Sequence, residues 1–430
     1  MTVAQTLATF AANSLVEDAT MAQFVQFSLF DWASVGIAGR AEPVARAARA
    51  VALSEGITQS TLFGGGKGSA RTAAMANGAT SHALDYDDTH FGHIGHPSVA
   101  IIPAALALAE REGLSGAEFL DAIAVGLEVS CRIGDWLGRS HYDAGFHQTG
   151  TSGAFGATAA AGRVLGLDAA AMAHALALTA TRAGGLKNQF GTMGKPLNAG
   201  FAAEVGVTSA LLAAAGVTSA LDAIEGFQGF GATHDGTPRD EAFDALGQIW
   251  KFPQISYKFH ACCHGLHASL EALRTLNPSG TIEAISIETH PRWLKVCNQP
   301  APQTGLAAKF SYRLTAAMRL AGVDTASLES YSDEVCARPD LIALRDLVEV
   351  SGDDSLTDTA AHVVVVAGGT RHEAWFDLLT DADSAQIEVR LIEKSTALLG
   401  DATATGLWRD VSTLGSASDL GALTGWIAQQ

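Results

Sequence analysis

The sequence changes its pattern near residue 255, and that change constrains the fold more than any motif. Before it, Ala, Leu, Gly and Met recur in helix-length stretches. Ala, Leu and Met favour the helical backbone, and the many Ala and Gly residues let neighbouring helices approach closely. Helices are expected over 3–16, 20–38, 43–55, 70–84, 98–112, 115–137, 150–165, 168–182, 196–215 and 217–226. In SGAEFLDAIAVGLEVSCRIG, Ser115 and Glu118 have capping-box spacing, and Ile123, Leu127 and Cys131 continue one apolar stripe. LDAAAMAHALALTATRAGG opens on an Asp cap and closes on paired glycines. After 255 the chain is mixed: TIEAISIETH alternates like a strand, and HVVVVAGGTRHEAWF reads as two strands joined by a Gly-Gly turn. QIEVRLIEKSTALLG fits a short strand or a helix leading to a terminal helix near 417–428. The expected fold class is therefore mainly α with a smaller α+β domain. A large all-helical domain covers 1–255 plus about 396–430, and a lid-like mixed domain covers 256–395.

Charge narrows the partners. With 27 Lys and Arg against 45 Asp and Glu, the net charge of −18 repels phosphate backbones and anionic membrane faces. Neither nucleic acid nor membrane is expected as a partner, and a small anion would need a local basic pocket. No positive region precedes the first apolar residues, as a secretory signal would require. The longest strongly apolar run, Val99 to Ala109, contains Pro103 and stops at Glu110, short of the roughly 20 residues that a membrane span needs. Five Cys without a C-x-x-C pair predict neither a disulfide framework nor a structural zinc. A reduced, cytoplasmic protein is expected.

Several chemical motifs fail on spacing. GGGKGS at 64–69 lacks the interval of a phosphate loop, and Lys67 is followed by Gly68, so a surface turn is expected. His90, His93 and His96 recur every third residue, but intervening glycines argue against a helix that would gather them, and no metal site is expected. Cys262 and Cys263 read as small core residues.

Three segments carry chemistry that a structural protein does not need. In HALDYDDTHFGHIGHPS (82–98), a helical backbone would put Asp85, Asp88 and Thr89 on one face. Carboxylates that close raise a pKa or require a cation, although Asp87 and Asp88 equally suit solvated helix caps. His96 precedes Pro97 and so sits on extended backbone. In NQFGTMGKPLNAGFAAEVG (188–206), Pro196 fits the first position of a helix and leaves Lys195 at its cap. A cation there opposes the helix dipole, which favours a neutral amine able to act as a base and leaves the helix end attractive to a carboxylate. In HYDAGFHQTGTSG (141–153) and YKFHACCHGLHA (257–268), Tyr142, His147, His264 and His267 are groups able to move protons or hold an enolate oxygen.

Taken in order, LDYDDTH with HPS, GFHQTGTSGAFGATAAAGRVLGLD, GTMGKPLNAGFAAEVG and KFHACCHGLHASLEAL resemble the four hallmark segments of the MmgE/PrpD family, over about residues 5–395. That family includes 2-methylcitrate dehydratase, cis-aconitate decarboxylase and iminodisuccinate epimerase. The resemblance implies a cofactor-independent enzyme, usually a homodimer, that moves a proton beside a carboxylate of a small di- or tricarboxylate. It places pocket residues at Asp85, Thr89, His96, His147, Lys195 and His267, and similarity to the epimerase adds Tyr142. The catalytic set expected is Lys195, Tyr142, His96, His267 and Asp85, with Thr89, His147 and His264 binding substrate. Lys195, alone or with Tyr142, is the expected base, and His147 or Asp85 the acid for a leaving hydroxyl. In AAKFSYRL, Leu314 stands where the decarboxylase branch carries a tyrosine. A 2-methylcitrate dehydratase-like hydro-lyase is the first expectation, an epimerase the second and a decarboxylase the third. An inactive carboxylate-binding or scaffold protein is the non-enzymatic alternative.

Overall fold

The computed structural model describes residues 1–16, 18–380 and 383–430. It divides into two compact units, Met1–Tyr257 with Asp401–Gln430, and Lys258–Gly400.

The first unit is helical. Its principal helices are α1 (Val3–Asn13), α2 (Ala19–Gly39), α3 (Pro43–Ser54), α4 (Ala70–Ser81), α5 (Ser98–Glu112), α6 (Gly116–Asp143), α7 (Thr151–Val164), α8 (Ala169–Thr179) and α9 (Gly194–Ala214). The capping box at Ser115 and Glu118 starts α6, and Asp168 caps α8. Every residue of α5 from Ser98 to Ala109 is buried, because α4, α6, α7 and α9 all pack on it. Small residues make this packing possible. A Cβ at Gly200 would lie 2.4 Å from the Met75 carbonyl oxygen, and one at Gly78 would lie 2.9 Å from the Gly200 Cα. That crossing holds α4 against α9 along residues that lead to the site described below. The later helix Asp401–Ser412 returns to this unit, where Trp408 meets Phe27 and Phe30 at ring separations of 5.8 and 5.2 Å.

Four sequence expectations change. Residues 217–226 are turns rather than a helix: Gly226 N–H bonds to the Asp222 carbonyl, and Ile224 is the one fully buried side chain there, too little to anchor a helical face. The α6 helix runs past 137, but Gly138, with φ of 71°, breaks its regular geometry before Tyr142. The 82–98 segment is not helical, since α4 ends at Ser81 and Asp85 adopts a left-handed φ of 53°. Finally, α9 begins at Gly194, so Lys195 lies inside the first turn with Pro196 after it, and the residue at the cap is Met193.

The three glycines of GGGKGS, Gly64, Gly65 and Gly66, all at positive φ, lie in the turn between two short strands, β1 (Ser60–Thr61) and β2 (Lys67–Gly68), and the Lys67–Gly68 pair forms the second strand. A second pair, β3 (Thr89–His90) with β4 (Ile255–Ser256), pins the chemically rich loop to the helical unit. The helix Gly194–Ala214 has the length and mean hydropathy to cross a membrane, a feature that the Val99–Ala109 run alone did not suggest. Instead it packs against α4, α5, α7 and α8, with 61% of its most apolar window buried.

The second unit is built on a four-stranded sheet. Strands β5 (Ile282–Thr289), β6 (Val348–Gly352), β7 (Ala360–Ala367) and β8 (Thr370–Asp377) run in the order β6-β5-β7-β8. Only β5 and β6 are parallel, and β7 and β8 turn through Gly368 and Gly369 at φ of 55° and 75°. The helix His267–Thr275 covers β7 and β8. Residues 386–399 prove helical, within Ser384–Leu399, where Arg390 reaches the buried Glu271 at 2.6 Å.

Two buried polar arrangements support the helical unit. Arg132 on α6 bonds Glu128 at 2.6 Å and donates to the carbonyls of Ala242 and Asp244, tying the 240–252 segment to the helix. Removing one partner strands a buried charge, so Arg132→Ala is expected to cost about 3–5 kcal/mol in chemical denaturation. Replacing both Glu128 and Arg132 with apolar residues should cost less. His93 is enclosed by Gly95 and Gly134 and held by the hydroxyls of Ser130 and Ser152 at 3.0 and 2.8 Å. Burial, with smaller effects from neighbouring imidazoles, lowers its pKa from 6.5 to about 3. The unfolded chain therefore takes up a proton that the folded chain refuses, and stability should fall as pH drops from about 6.5 toward 3. Denaturation midpoints measured across this range should show a flatter acid slope in His93→Gln.

Candidate active site

The end of α4, the loop to α5, the segment before α7 and the start of α9 converge in the helical unit. His82, the residue after the last turn of α4, is almost wholly buried. Its Nδ1 lies 2.9 and 3.0 Å from the two carboxylate oxygens of Asp87. The left-handed turn at Asp85 separates neighbours in sequence: the Asp85 side chain stays half exposed, while Tyr86, Asp87 and Asp88 turn inward. Asp85 Oδ1 receives the Lys195 ammonium at 2.6 Å. His96 lies between the two carboxylates, with Nδ1 2.9 Å from Asp87 Oδ2 and Nε2 3.7 Å from Asp85 Oδ1. Its backbone N–H donates to Thr149 Oγ1 at 3.0 Å, which fixes the segment before Pro97.

The third imidazole is His147. Its ring centroid lies 5.9 Å from His82, 6.5 Å from His96 and 4.9 Å from Phe190. The Asn198 amide, one turn along α9 from Lys195, donates to His147 Nδ1 at 3.0 Å, leaving Nε2 as the position for its proton. Burial first, then the nearby His82, Lys195 and His96, push the His147 pKa well below the ordinary imidazole value. A neutral His147 can donate a hydrogen bond through Nε2. For Asp87, burial works to raise the pKa, yet the adjoining His82 and His96 outweigh it and hold the carboxyl well below its usual range. Asp88 behaves oppositely. Burial and the neighbouring Asp31 carboxylate raise it well above the usual range, against the bonds from Ser98. Neither Asp87 nor Asp88 is a solvated cap, since both are fully buried.

The structure thus brings together Asp85, His96, His147 and Lys195 from the expected set. Thr89 lies on β3, with its hydroxyl 3.4 Å from the Ser256 carbonyl. Tyr142, at the end of α6, lies under Lys187, whose Nζ is 3.6 Å from the ring centroid. Lys187 also donates to the Tyr142 carbonyl at 2.8 Å. His264 and His267 belong to the second unit and form their own imidazole group with His260, at ring separations of 4.6 Å for His264–His267 and 5.1 Å for His260–His267. Burial, reinforced by His264, His260 and Lys258, sets the His267 pKa well below normal. Nearby Cys262 is pushed up to about 12, chiefly by burial, in keeping with a core thiol.

Sequence reasoning missed His82, Asn198 and the role of Asp87. No periodicity distinguishes Asp85 from Asp87; the backbone reversal between them does. His90 does not join His96 in a metal-binding triad, because its Nε2 is 2.9 Å from the Lys251 carbonyl. A different set, His82, Asp85, Asp87 and His96, has potential ligand atoms within 4.8 Å of one another. Here the Lys195 ammonium and the imidazoles themselves already face the carboxylates, so the negative charge has partners within the chain.

A cis-aconitate decarboxylase-like protein of Aspergillus oryzae is 34% identical over 48% of this chain and 46% of its own. Human cis-aconitate decarboxylase is 30% identical over 65% of this chain and 60% of its own. The Aspergillus terreus cis-aconitate decarboxylase is 32% identical over 47% of this chain and 45% of its own. The matches thus span about half the length of these curated relatives. The MmgE/PrpD N-terminal domain matches residues 5–242, which hold the whole Asp85–His96–His147–Lys195 cluster, and the MmgE/PrpD C-terminal domain matches 260–394. With both domains matched in order along the chain, this protein belongs to the MmgE/PrpD family.

Proposed function

We propose that this chain is a lyase that moves a proton at the carbon alpha to a carboxylate of a small di- or tricarboxylate, using its own side chains. The observation that carries this reading is the placement of the Lys195 ammonium 2.6 Å from Asp85, beside the His96 and His147 rings. The bound carboxylate competes with Asp85 for Lys195. As it does so, the amine can pass its proton to Asp85 and become a base at the alpha carbon. The resulting enolate-like oxygen needs donors placed before the reaction, which the His147 Nε2–H and His96 supply. Loss of a beta-hydroxyl, assisted by a proton from His96, completes dehydration of a 2-methylcitrate-type hydroxy acid. Asp85, already engaged with Lys195, holds and returns the transferred proton.

A second reading is decarboxylation of an aconitate-like acid, which the names of the relatives favour. Weighing on the other side, Leu314 is buried on the helix Tyr312–Leu320, and Tyr312 at its start donates its hydroxyl to the Gly265 carbonyl at 2.6 Å. No tyrosine is therefore offered at 314, and the one at 312 is engaged in holding its own unit together. We further propose a homodimer, to be measured by light scattering.

Incubation with 2-methylcitrate, citrate, cis-aconitate and iminodisuccinate, followed by proton NMR, tests the reading. An alkene formed from a hydroxy acid supports dehydration, release of carbon dioxide from cis-aconitate selects the second reading, and inversion without net loss would make the protein an epimerase. Turnover of none of these would overturn the proposal in favour of a binding protein. With the active substrate, Lys195→Ala should lower kcat by a factor on the order of 10²–10⁴ if Lys195 is the base. A change in KM alone would assign it to binding.

A further inference from the structure

Asp87 is a single buried carboxylate facing two imidazoles, with His82 Nδ1 at 2.9 and 3.0 Å and His96 Nδ1 at 2.9 Å. The two rings lie 4.6 Å apart. Neither Asp87 nor His82 reaches solvent, and His82 Nε2 has no hydrogen-bond partner among the described residues. An ionised carboxylate in such a place is costly unless donors face it. Here both facing groups are imidazole nitrogens, and only one of the two rings, His96, has its other nitrogen facing Asp85, which in turn pairs with Lys195. The order Lys195–Asp85–His96–Asp87–His82 alternates basic and acidic groups from the half-exposed Asp85 to the fully buried His82.

We infer that Asp87, held in place by His82, is a positioning residue that keeps the Nδ1 proton on His96 and thereby makes His96 Nε2 the nitrogen that exchanges a proton with substrate. The inference rests on the proposed proton transfer for its use, but not for its geometry. A proton leaving His96 at Nε2 leaves a neutral ring whose Nδ1 stays 2.9 Å from Asp87 Oδ2, and Nε2 takes the proton back at the end of the cycle. The carboxylate stays ionised throughout. His82 supplies the second donor that Asp87 needs to remain charged without water. Other groups also set the charge of His96: Asp85 and His82 from its own side of the site, His93 from the same loop, His147 from the segment before α7, and Lys195 from α9.

The test uses the full chain with nitrogen-15-labelled histidine. In the wild type, the His96 ring should show a protonated Nδ1 shielded from exchange, whether or not any substrate is known. In Asp87→Asn, the ring should lose that preference and titrate at lower pH, because an anion that favours its cationic form is gone. Activity on the substrate found above should fall on the order of 10²–10⁴ in kcat, as when a carboxylate that orients a catalytic imidazole is removed, with KM little changed. His82→Gln retains a donor to Asp87 and should keep the His96 Nδ1 signal. An Asp87→Asn protein with the wild-type His96 tautomer and titration would overturn the inference. Should that variant fail to fold, a wild-type spectrum with Nδ1 of His96 unprotonated would overturn it as well. An altered tautomer in a protein that turns over no carboxylate would leave the inference standing and remove only the proposed function.

Discussion

The site depends on burying negative charge beside cationic groups. Asp87 has no access to water, so its charge is tolerable only because the adjacent rings of His82 and His96 both present a nitrogen to it. That requirement fixes the end of α4, which carries His82, and the loop that returns His96 to the start of α5. It also explains why helices of such small residues are needed. The Gly78–Gly200 crossing brings α4 and α9 close enough for groups near their ends to share a cluster, and a single added methyl would meet backbone there.

The same geometry sorts two classes of carboxylate that the sequence presents as one run. Asp85 faces Lys195 at a half-exposed position, the place where the proposed reaction has a substrate carboxylate compete for the cation. Asp88 turns the other way, toward Ser98 and Asp31, where burial favours its neutral form. Asp87 remains charged beside the two neighbouring rings of His82 and His96. Chemistry at carbon needs this division, because a base must be poised to gain a proton while its supporting charges stay fixed.

Much of the fold was legible in advance because periodicity reports directly on packing. Helix-length stretches of Ala, Leu, Gly and Met located α1 to α9 to within a few residues, alternation located β5, and a Gly-Gly turn between two strand-like runs located β7 and β8. The exceptions have local causes. Residues 217–226 have helical composition but no buried face, and Gly138 interrupts a pattern that sequence read as ending one residue earlier. Residue type also pointed to Asp85, His96, His147 and Lys195. It did not reveal His82 or Asn198, because their importance lies in the partner each holds, and those partners are brought together by a left-handed turn and a helix crossing. Lys195 shows the same limit. Its place near a helix start was readable, but the Asp85 counter-charge came from a segment 110 positions away in the chain.

The most direct measurement of the central claim is the isotope content of substrate and product recovered from deuterium oxide at partial conversion. Proton transfer through Lys195 predicts deuterium at the carbon alpha to a carboxylate, in recovered substrate or in product, and its disappearance in Lys195→Ala. Full turnover with every alpha hydrogen retained and no solvent deuterium bound to carbon would contradict the account.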